Sequence, residues 1–405
     1  MPTLLQINTS INIGSTGRIA EQLGQYVQLK GWNSYIAYGR RIRNSKSSPV
    51  KIGNKIDISF HVLQSRIFDR HGLGSVRSTR EFLNEIMRIN PDIIHLHNIH
   101  GYYLNYPELF KYLSENNIPV VWTLHDCWPV TGHCSYFSDI NCGKWKTECH
   151  HCPKKRSYPA SMYLDKSRIN YRLKKHYFNA VDNLTIITVS TWLSSIVKES
   201  YLAEHPVCVI NNGIDLDVFY PQSDNSGIRN KYRIFDKYLL LGVASTWDRR
   251  KGLEDYLKLR GILSDEYVIV LVGLSGKQIK SLPPDIIGIK RTESIKELAE
   301  LYSAADIVLN LSILESFGLT TVEGFACGTP GIVYNCTASP ELVTQETGII
   351  VEPGNIRALA TGVEKIISEG KKHYAANCRK RALMYYNKED RLGEYMKLYT
   401  ELLNR

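Results

Sequence analysis

The sequence predicts an α/β protein of two doubly wound, parallel-sheet (Rossmann-like) domains facing across a cleft, and three observations predict it. At 405 residues the chain is too long for one ordinary core. Short, nearly all-apolar runs alternate with amphipathic stretches throughout, as expected for parallel strands covered by helices on both faces. Midway, residues 210–224 gather the Asn, Gly, Asp and Pro that mark a linker.

The elements follow in order. Residues 4–8 read as a strand, and 16–31 as a helix whose Ile19, Leu23, Tyr26, Val27 and Leu29 recur near 3.6-residue spacing. Strands are expected at 34–38, 93–97, 120–124 and 185–189, with helices at 80–89 and 106–115. The second half repeats the scheme, with strands at 238–244, 267–272, 307–311 and 331–334. Its helices are expected at 252–262, 295–304, 320–326 and 356–368, and long terminal helices at 377–404. The expected domains are 1–210, carrying a cysteine-rich insertion at 127–153, and 211–385. A terminal helix, 386–405, is expected to pack back toward the first domain.

Composition narrows the class. With 43% hydrophobic and 22% charged residues the chain is of the soluble globular type. No apolar run reaches the roughly 18–20 residues that span a bilayer. The opening Met-Pro-Thr-Leu-Leu-Gln-Ile-Asn reads as a strand rather than a leader, so a cytoplasmic protein is expected. Net charge is +10, and it is unevenly placed. Residues 1–190 hold 24 Lys and Arg against 13 Asp and Glu; the remainder holds 26 against 27. The excess attracts phosphates, anionic lipid or nucleic acid, unless it is simply a solvated basic surface. Lys154-Lys155-Arg156 and Lys174-Lys175 are candidate contacts for an anionic membrane.

The most informative segment is Glu315-Ser-Phe-Gly-Leu-Thr-Thr-Val-Glu323, followed by Gly328-Thr329-Pro330. It joins an expected strand to an expected helix, and in open α/β sheets ligands sit there. The unpaired N–H groups and positive dipole end of that helix suit a diphosphate. Gly318 lets backbone approach a ligand closely. Glu323, one turn into the helix, can accept two hydrogen bonds from a ribose diol, and Glu315 precedes the helix, facing sugar hydroxyls.

This half resembles the donor domain of family 4 retaining glycosyltransferases of the GT-B fold, whose acidic motif is E-x7-E. Ile210-Asn-Asn-Gly-Ile-Asp215 and Arg250-Lys-Gly-Leu253 resemble two further motifs of that family. The resemblance implies that Glu323 holds the donor ribose and Glu315 the donor sugar, with backbone of Phe317, Gly318 and Leu319 on sugar and phosphate. Lys251 would neutralise the departing diphosphate, and no catalytic metal is implied. One departure matters: where the family usually has an arginine, six residues before the lysine, this chain has Ser245. Arg249 or Arg250 would supply the second cation. The base pocket would involve Gly273, residues 288–292 and the vicinity of Leu298, with nothing that separates uracil from guanine.

In the first half, Gly14-Ser-Thr-Gly17-Arg18 lies between strand and helix, a turn with room for a phosphate. The resemblance places this loop opposite the donor phosphates, with Gly17 and Arg18 contacting them. His125 and Asp126 end another strand, where the aspartate could orient the histidine. The resemblance implies that His125 supports the oxocarbenium-like transition state at the donor sugar. His97, Asn98 and Tyr102 form a candidate acceptor wall, with a hydrogen-bonded structural loop as the alternative.

Cys134, Cys142, Cys149 and Cys152 crowd one segment, and a Cys-x2-Cys pair supplies two ligands from one tight turn. A structural zinc site is the leading expectation; His133, His150 and His151 compete as ligands, and free thiols or disulfides are the alternatives. His125-Asp-Cys-Trp-Pro-Val-Thr-Gly-His-Cys134 resembles a segment of a cysteine-containing subgroup found with capsule and exopolysaccharide synthesis. The whole implies a hexosyltransferase, peripheral on the inner face of the cytoplasmic membrane. It would move sugar from a UDP- or GDP-sugar to an oligosaccharide acceptor linked to polyprenyl diphosphate. A zinc-containing nucleic-acid-binding protein and a sugar-nucleotide epimerase of the same fold are the competing readings.

Overall fold

The computed structural model describes residues 1–404. Seven parallel strands form the first sheet: β1 (Thr3–Asn8), β2 (Asn33–Tyr38), β3 (Ser48–Lys51), β4 (Ile93–Leu96), β5 (Val120–Leu124), β6 (Leu184–Thr188) and β7 (Val207–Val209). Their order is β3-β2-β1-β4-β5-β6-β7. β1, β4, β5 and β6 are buried at every residue, which is why they read as largely apolar runs. The two edges escaped the sequence reading. β3 contains Pro49 and is largely exposed, and β7 has three residues with Cys208 and Val209 in solvent.

Six parallel strands form the second sheet: β8 (Tyr238–Val243), β9 (Tyr267–Val272), β10 (Ile286–Ile289), β11 (Ile307–Asn310), β12 (Gly331–Tyr334) and β13 (Gly348–Val351). Their order is β10-β9-β8-β11-β12-β13. Each sheet reverses its winding direction once, between β1 and β4 and between β8 and β11. In open α/β sheets such a point of reversal, at the carboxyl ends of the strands, is where ligands sit.

Several helices differ from expectation. The first runs Gly14–Leu29, starting earlier because Gly14 takes φ +70° and turns the chain directly into it. The helix expected at 80–89 starts at Val76. Lys55–Phe68, Ser167–Phe178 and Thr191–Lys198 were not foreseen. The first of these is set by a capping box, in which the Asn54 side chain accepts from N–H groups of the first turn and Asp57 accepts from the Asn54 N–H.

The chain divides into two compact units, one of Met1–Ile210 together with the residues from Leu392 on, the other of Asn211–Arg391. The second unit thus runs past the boundary expected at 385. The expected terminal helices are Lys371–Tyr385, which starts earlier than 377, and Lys388–Leu403. The break between them exists because Ile214 pairs there: its N–H donates to Tyr386 O (2.7 Å), and Lys388 N–H donates to Ile214 O (3.1 Å).

From Leu392 the last helix belongs to the first unit. Leu392, Tyr395, Tyr399 and Leu402 join Leu4, Leu23, Val27, Trp32 and Ile93 in one core cluster. Two phenols reach the sheet: Tyr399 OH lies 2.6 Å from His95 Nδ1, and Tyr395 OH lies 3.1 Å from Thr123 Oγ1. His95 Nε2 closes the network on Thr123 Oγ1 at 2.8 Å. Replacing Tyr399 by Ala should therefore destabilise the first unit by about 3–5 kcal/mol in urea unfolding. Tyr399→Phe, which leaves His95 Nδ1 without its partner, should cost about 1–3 kcal/mol.

Candidate functional site

In the second unit the loops after β8 and β11 meet at the point of reversal. Lys251 leaves the first loop and Glu315 the second, and Lys251 Nζ lies 2.6 Å from Glu315 Oε2. Both side chains are partly exposed, so the pair is open to a ligand. Gly252 makes the approach possible: at φ +71°, a Cβ there would stand 2.3 Å from Leu311 O. Glu315 is fixed through its backbone, its N–H donating to Thr337 Oγ1 (3.0 Å) and its carbonyl accepting from Ala338 N–H (3.1 Å).

The helix Leu319–Ala326 begins immediately beyond. Gly318, at φ +105°, occupies its cap position, and no side chain caps it among the described residues. Its first turn holds no acidic residue. A helix N-terminus without a protein carboxylate keeps its N–H groups and dipole for an external anion. The Phe317 side chain is buried and packs edge-on against Tyr386. Glu323 is 8% exposed, and its Oε2 accepts a 2.8 Å hydrogen bond from Tyr302 OH. Asn310 Nδ2 donates to Thr321 Oγ1 (3.1 Å), fastening the strand end to the helix.

Tyr302 was not among the expected site residues. It positions Glu323 from twenty-one residues away, and nothing in local spacing announces that contact. Arg250 turns aside from Lys251: its guanidinium grips Asp248 through two bonds of 3.0 and 2.8 Å. Its carbonyl accepts from Ile313 N–H (2.8 Å), tying the two loops together. Arg249 and Ser245 are exposed in the same loop. Gly273, at φ +99°, ends β9 where a Cβ would lie 1.6 Å from Ala244 O.

The first unit places its expected residues at the carboxyl ends of β1, β4 and β5. Gly17 is buried, and a Cβ there would come within 2.9 Å of Ser10 O, so the helix start packs directly on the loop after β1. Arg18 is exposed. His125 is partly exposed, and its Nε2 lies 3.3 Å from His97 Nδ1 with the rings stacked. Burial, partly countered by the Asp126 charge, lowers its pKa to about 4.

Two expectations are corrected here. Asp126 orients His100 rather than His125: its Oδ2 lies 3.0 Å from His100 Nε2, while Oδ1 accepts from Trp128 N–H (2.9 Å). Burial opposes the Asp126 charge, but these contacts hold its pKa below the ordinary value. His97 and Tyr102 do not form an acceptor wall, because both are buried. His97 Nε2 is held by Gln6 Oε1 (3.0 Å), making His97 the support of His125, and Tyr102 packs edge-on against His71. Of the three, Asn98 alone is partly exposed.

Cys134, Cys142, Cys149 and Cys152 line one small cavity together with His133 and His150. Cys134 and Cys152 share a hydrogen bond. His133 Nδ1 lies 2.6 Å from Asp69 Oδ1, and its buried Nε2 has no hydrogen-bond partner among the described residues. The donors are chemically those zinc takes. Among the described residues, however, no three Cys, His, Asp or Glu side chains are already arranged to hold a metal ion. Lys174 is not a surface lysine: it is buried, and donates to Trp128 O (2.7 Å) and Thr131 O (3.0 Å). Burial lowers its pKa to about 7.

Known proteins align with both units. A model described as Glycosyltransferase Family 4 matches residues 17–218, and one described as Glycosyl transferases group 1 matches residues 224–383. The WcaC protein of Escherichia coli (strain K12), named for a glycosyl transferase of colanic acid biosynthesis, is 22% identical over 98% of this chain and its own full length. Sucrose-phosphate synthase from Thermosynechococcus elongatus superposes with a TM-score of 0.73 at 18% identity, covering 100% of both chains. Anabaena Alr3699/HepE in complex with UDP gives 0.69 at 15% identity, covering 99% of this chain and 100% of its own. Both matched models are glycosyltransferase families, which sets aside the nucleic-acid-binding and epimerase readings. No described helix is long and apolar enough to cross a membrane.

The buried histidines give the fold a pH dependence of definite sign. Burial lowers the pKa of His61 and His95 to about 3, and that of His97 well below 6.5. With His125, these imidazoles stay neutral in the folded chain while the unfolded chain protonates below about pH 6.5. Stability should be fully present above that pH and fall toward pH 4, by up to about 1.4 kcal/mol per pH unit for each. His133, raised by Asp69 despite its burial, works in the opposite direction. Urea midpoints at pH 8 and 5.5 check the balance: the midpoint at 5.5 should be the lower.

Proposed function

The chain belongs to the family 4 glycosyltransferases, and on that premise we propose that it is a retaining hexosyltransferase of cell-surface polysaccharide assembly. Its donor would be a UDP- or GDP-hexose, and its acceptor an oligosaccharide carried on polyprenyl diphosphate at an anionic membrane surface. The observation that carries the donor half is the Lys251–Glu315 pair beside the uncapped helix at Gly318, with Glu323 held by Tyr302 one turn further on. The name of WcaC supports the polysaccharide part, and the UDP in the HepE complex supports a nucleotide-sugar donor.

The chemistry follows from the charges. When the bond from the anomeric carbon to the diphosphate breaks, negative charge grows on the leaving oxygen. Lys251 and the N–H groups beginning the Leu319–Ala326 helix meet that charge without reorganising. The acceptor hydroxyl forms its new bond on the same face, its proton passing to the departing phosphate oxygen, so no enzymic nucleophile is required. Glu315 holds sugar hydroxyls, and Glu323 the ribose. His125, neutral at working pH, would offer the developing oxocarbenium a dipole without an opposing positive charge. Structural zinc in the cysteine cavity would stabilise the first unit, with Cys134, Cys142, Cys149 and Cys152 as ligands.

A nucleotide-sugar panel tests the donor reading. A true donor at about 100-fold its Kd should add about 2.7 kcal/mol to stability, visible as a rise in Tm. Glu323→Ala should abolish that rise, and Lys251→Ala should lower kcat by about 10²–10³-fold. If no UDP- or GDP-sugar shifts the melt and Glu323→Ala leaves transfer intact, the reading fails. An α-linked product from an α-linked donor, read by NMR, supports retention; a β-linked product contradicts it. For the metal, reduced protein should carry about one zinc per chain and lose stability with a chelator. Metal-free protein of unchanged Tm would rule it out.

A further inference from the structure

The helix Lys55–Phe68 turns a row of apolar side chains to solvent. Ile56, Phe60 and Leu63 are 67%, 61% and 52% exposed, and their spacing aligns them with half-buried Ile67 along one side. The other side, with buried His61 and Ser65, holds the helix to its unit. Beside its last turn lies a second exposed apolar group, Met162, Tyr163 and Leu164. Met162 N–H donates to Arg66 O (2.7 Å) and Leu164 N–H to Ile67 O (3.3 Å), so this loop is fastened to the helix. Single exposed apolar residues are ordinary; six on two joined segments mark an interaction surface.

The charge around this surface is of one sign. Lys55, Arg66, Arg70 and Arg156 are exposed, and Lys155 donates to Tyr163 O (2.9 Å). Residues 40–70 contain eight Lys and Arg against two carboxylates. Both carboxylates are engaged, Asp57 in the capping box and Asp69 on His133. The nearby Asp165 accepts from Cys152 N–H and Ser167. An apolar stripe bordered by cations is the pattern of a helix lying in the headgroup region of an anionic membrane.

We propose that the exposed face of Lys55–Phe68, together with Met162–Leu164, docks this chain on an anionic lipid bilayer. Phe60, Leu63 and Tyr163 enter the boundary between headgroups and acyl chains, and Lys55, Arg66, Arg70 and Arg156 lie at the level of the phosphates. This rests on the membrane-side half of the reading above and is independent of the donor. It also moves the contact away from the lysines at 174 and 154, since Lys174 is buried and Lys154 is paired with Asp139.

Co-sedimentation of the full chain with vesicles tests the proposal, comparing phosphatidylcholine alone with phosphatidylcholine containing phosphatidylglycerol. The chain should partition to the anionic vesicles. The variant Phe60→Ser/Leu63→Ser/Tyr163→Ser should bind them more than tenfold less, and each of Arg66→Gln and Arg156→Gln about fivefold less. All should keep the parent Tm and the donor-induced rise in it. Equal binding to both vesicles, or unchanged binding by the triple variant, overturns the proposal. A concentration-dependent dimer that the triple variant abolishes also overturns it, assigning the face to a second copy. Vesicle binding as expected without any nucleotide-sugar effect would sink the donor reading and leave the docking surface standing.

Discussion

The parallel pairing of β8 with β11 is the constraint on which the donor site depends. Ile307 lies opposite Leu240 and Leu309 opposite Gly242 in that pairing, so both strands deliver their loops to the same end of the sheet. Because the winding reverses there, no helix crosses over the gap, and a cation from one loop can meet a carboxylate from the other. The 2.6 Å contact of Lys251 with Glu315 is that meeting. Moving the register by one residue would turn Leu309 and its neighbours to the opposite face. It would also separate the pair that the chemistry requires.

The first unit solves a different problem with the same topology. Its strand ends hold histidines in succession: His95, buried, on two hydroxyls, His97, buried, on Gln6, and the partly exposed His125 on His97. Each ring fixes the next, and desolvation keeps them neutral. The C-terminal helix takes part, since its Tyr395 and Tyr399 bond into the layer under β4 and β5. A residue near the chain's end thereby stabilises strands laid down near its beginning. The cost is an acid-sensitive core.

Much of this was legible in the sequence where one physical signal dominated. Strands buried on both faces are mostly apolar, and the segment 315–323 combines a glycine that needs a positive φ with a helix start and two carboxylates. The edges β3 and β7 were invisible because partly exposed strands lose that apolar signature. The helix Lys55–Phe68 was invisible because its buried side carries His61 and Ser65 while Ile56, Phe60 and Leu63 face solvent, the reverse of the usual pattern. The role of Asp126 was misjudged because adjacency in sequence does not set side-chain direction: His100, from the loop after β4, reaches it. His97 and Tyr102 read as a candidate acceptor wall from their residue types, yet tertiary packing buries both. Tyr302 could not be paired with Glu323 from spacing, since two different elements bring them together.

The central claim is that the crevice at β8 and β11 holds the diphosphate of a nucleotide sugar. A crystal structure of the chain with a bound nucleoside diphosphate addresses it most directly. The account predicts phosphate oxygens within hydrogen-bonding distance of Lys251 Nζ and the backbone N–H groups at Gly318–Thr320, with the ribose hydroxyls on Glu323. A nucleotide bound elsewhere, with Lys251 and Glu323 making no contact to it, would contradict the account.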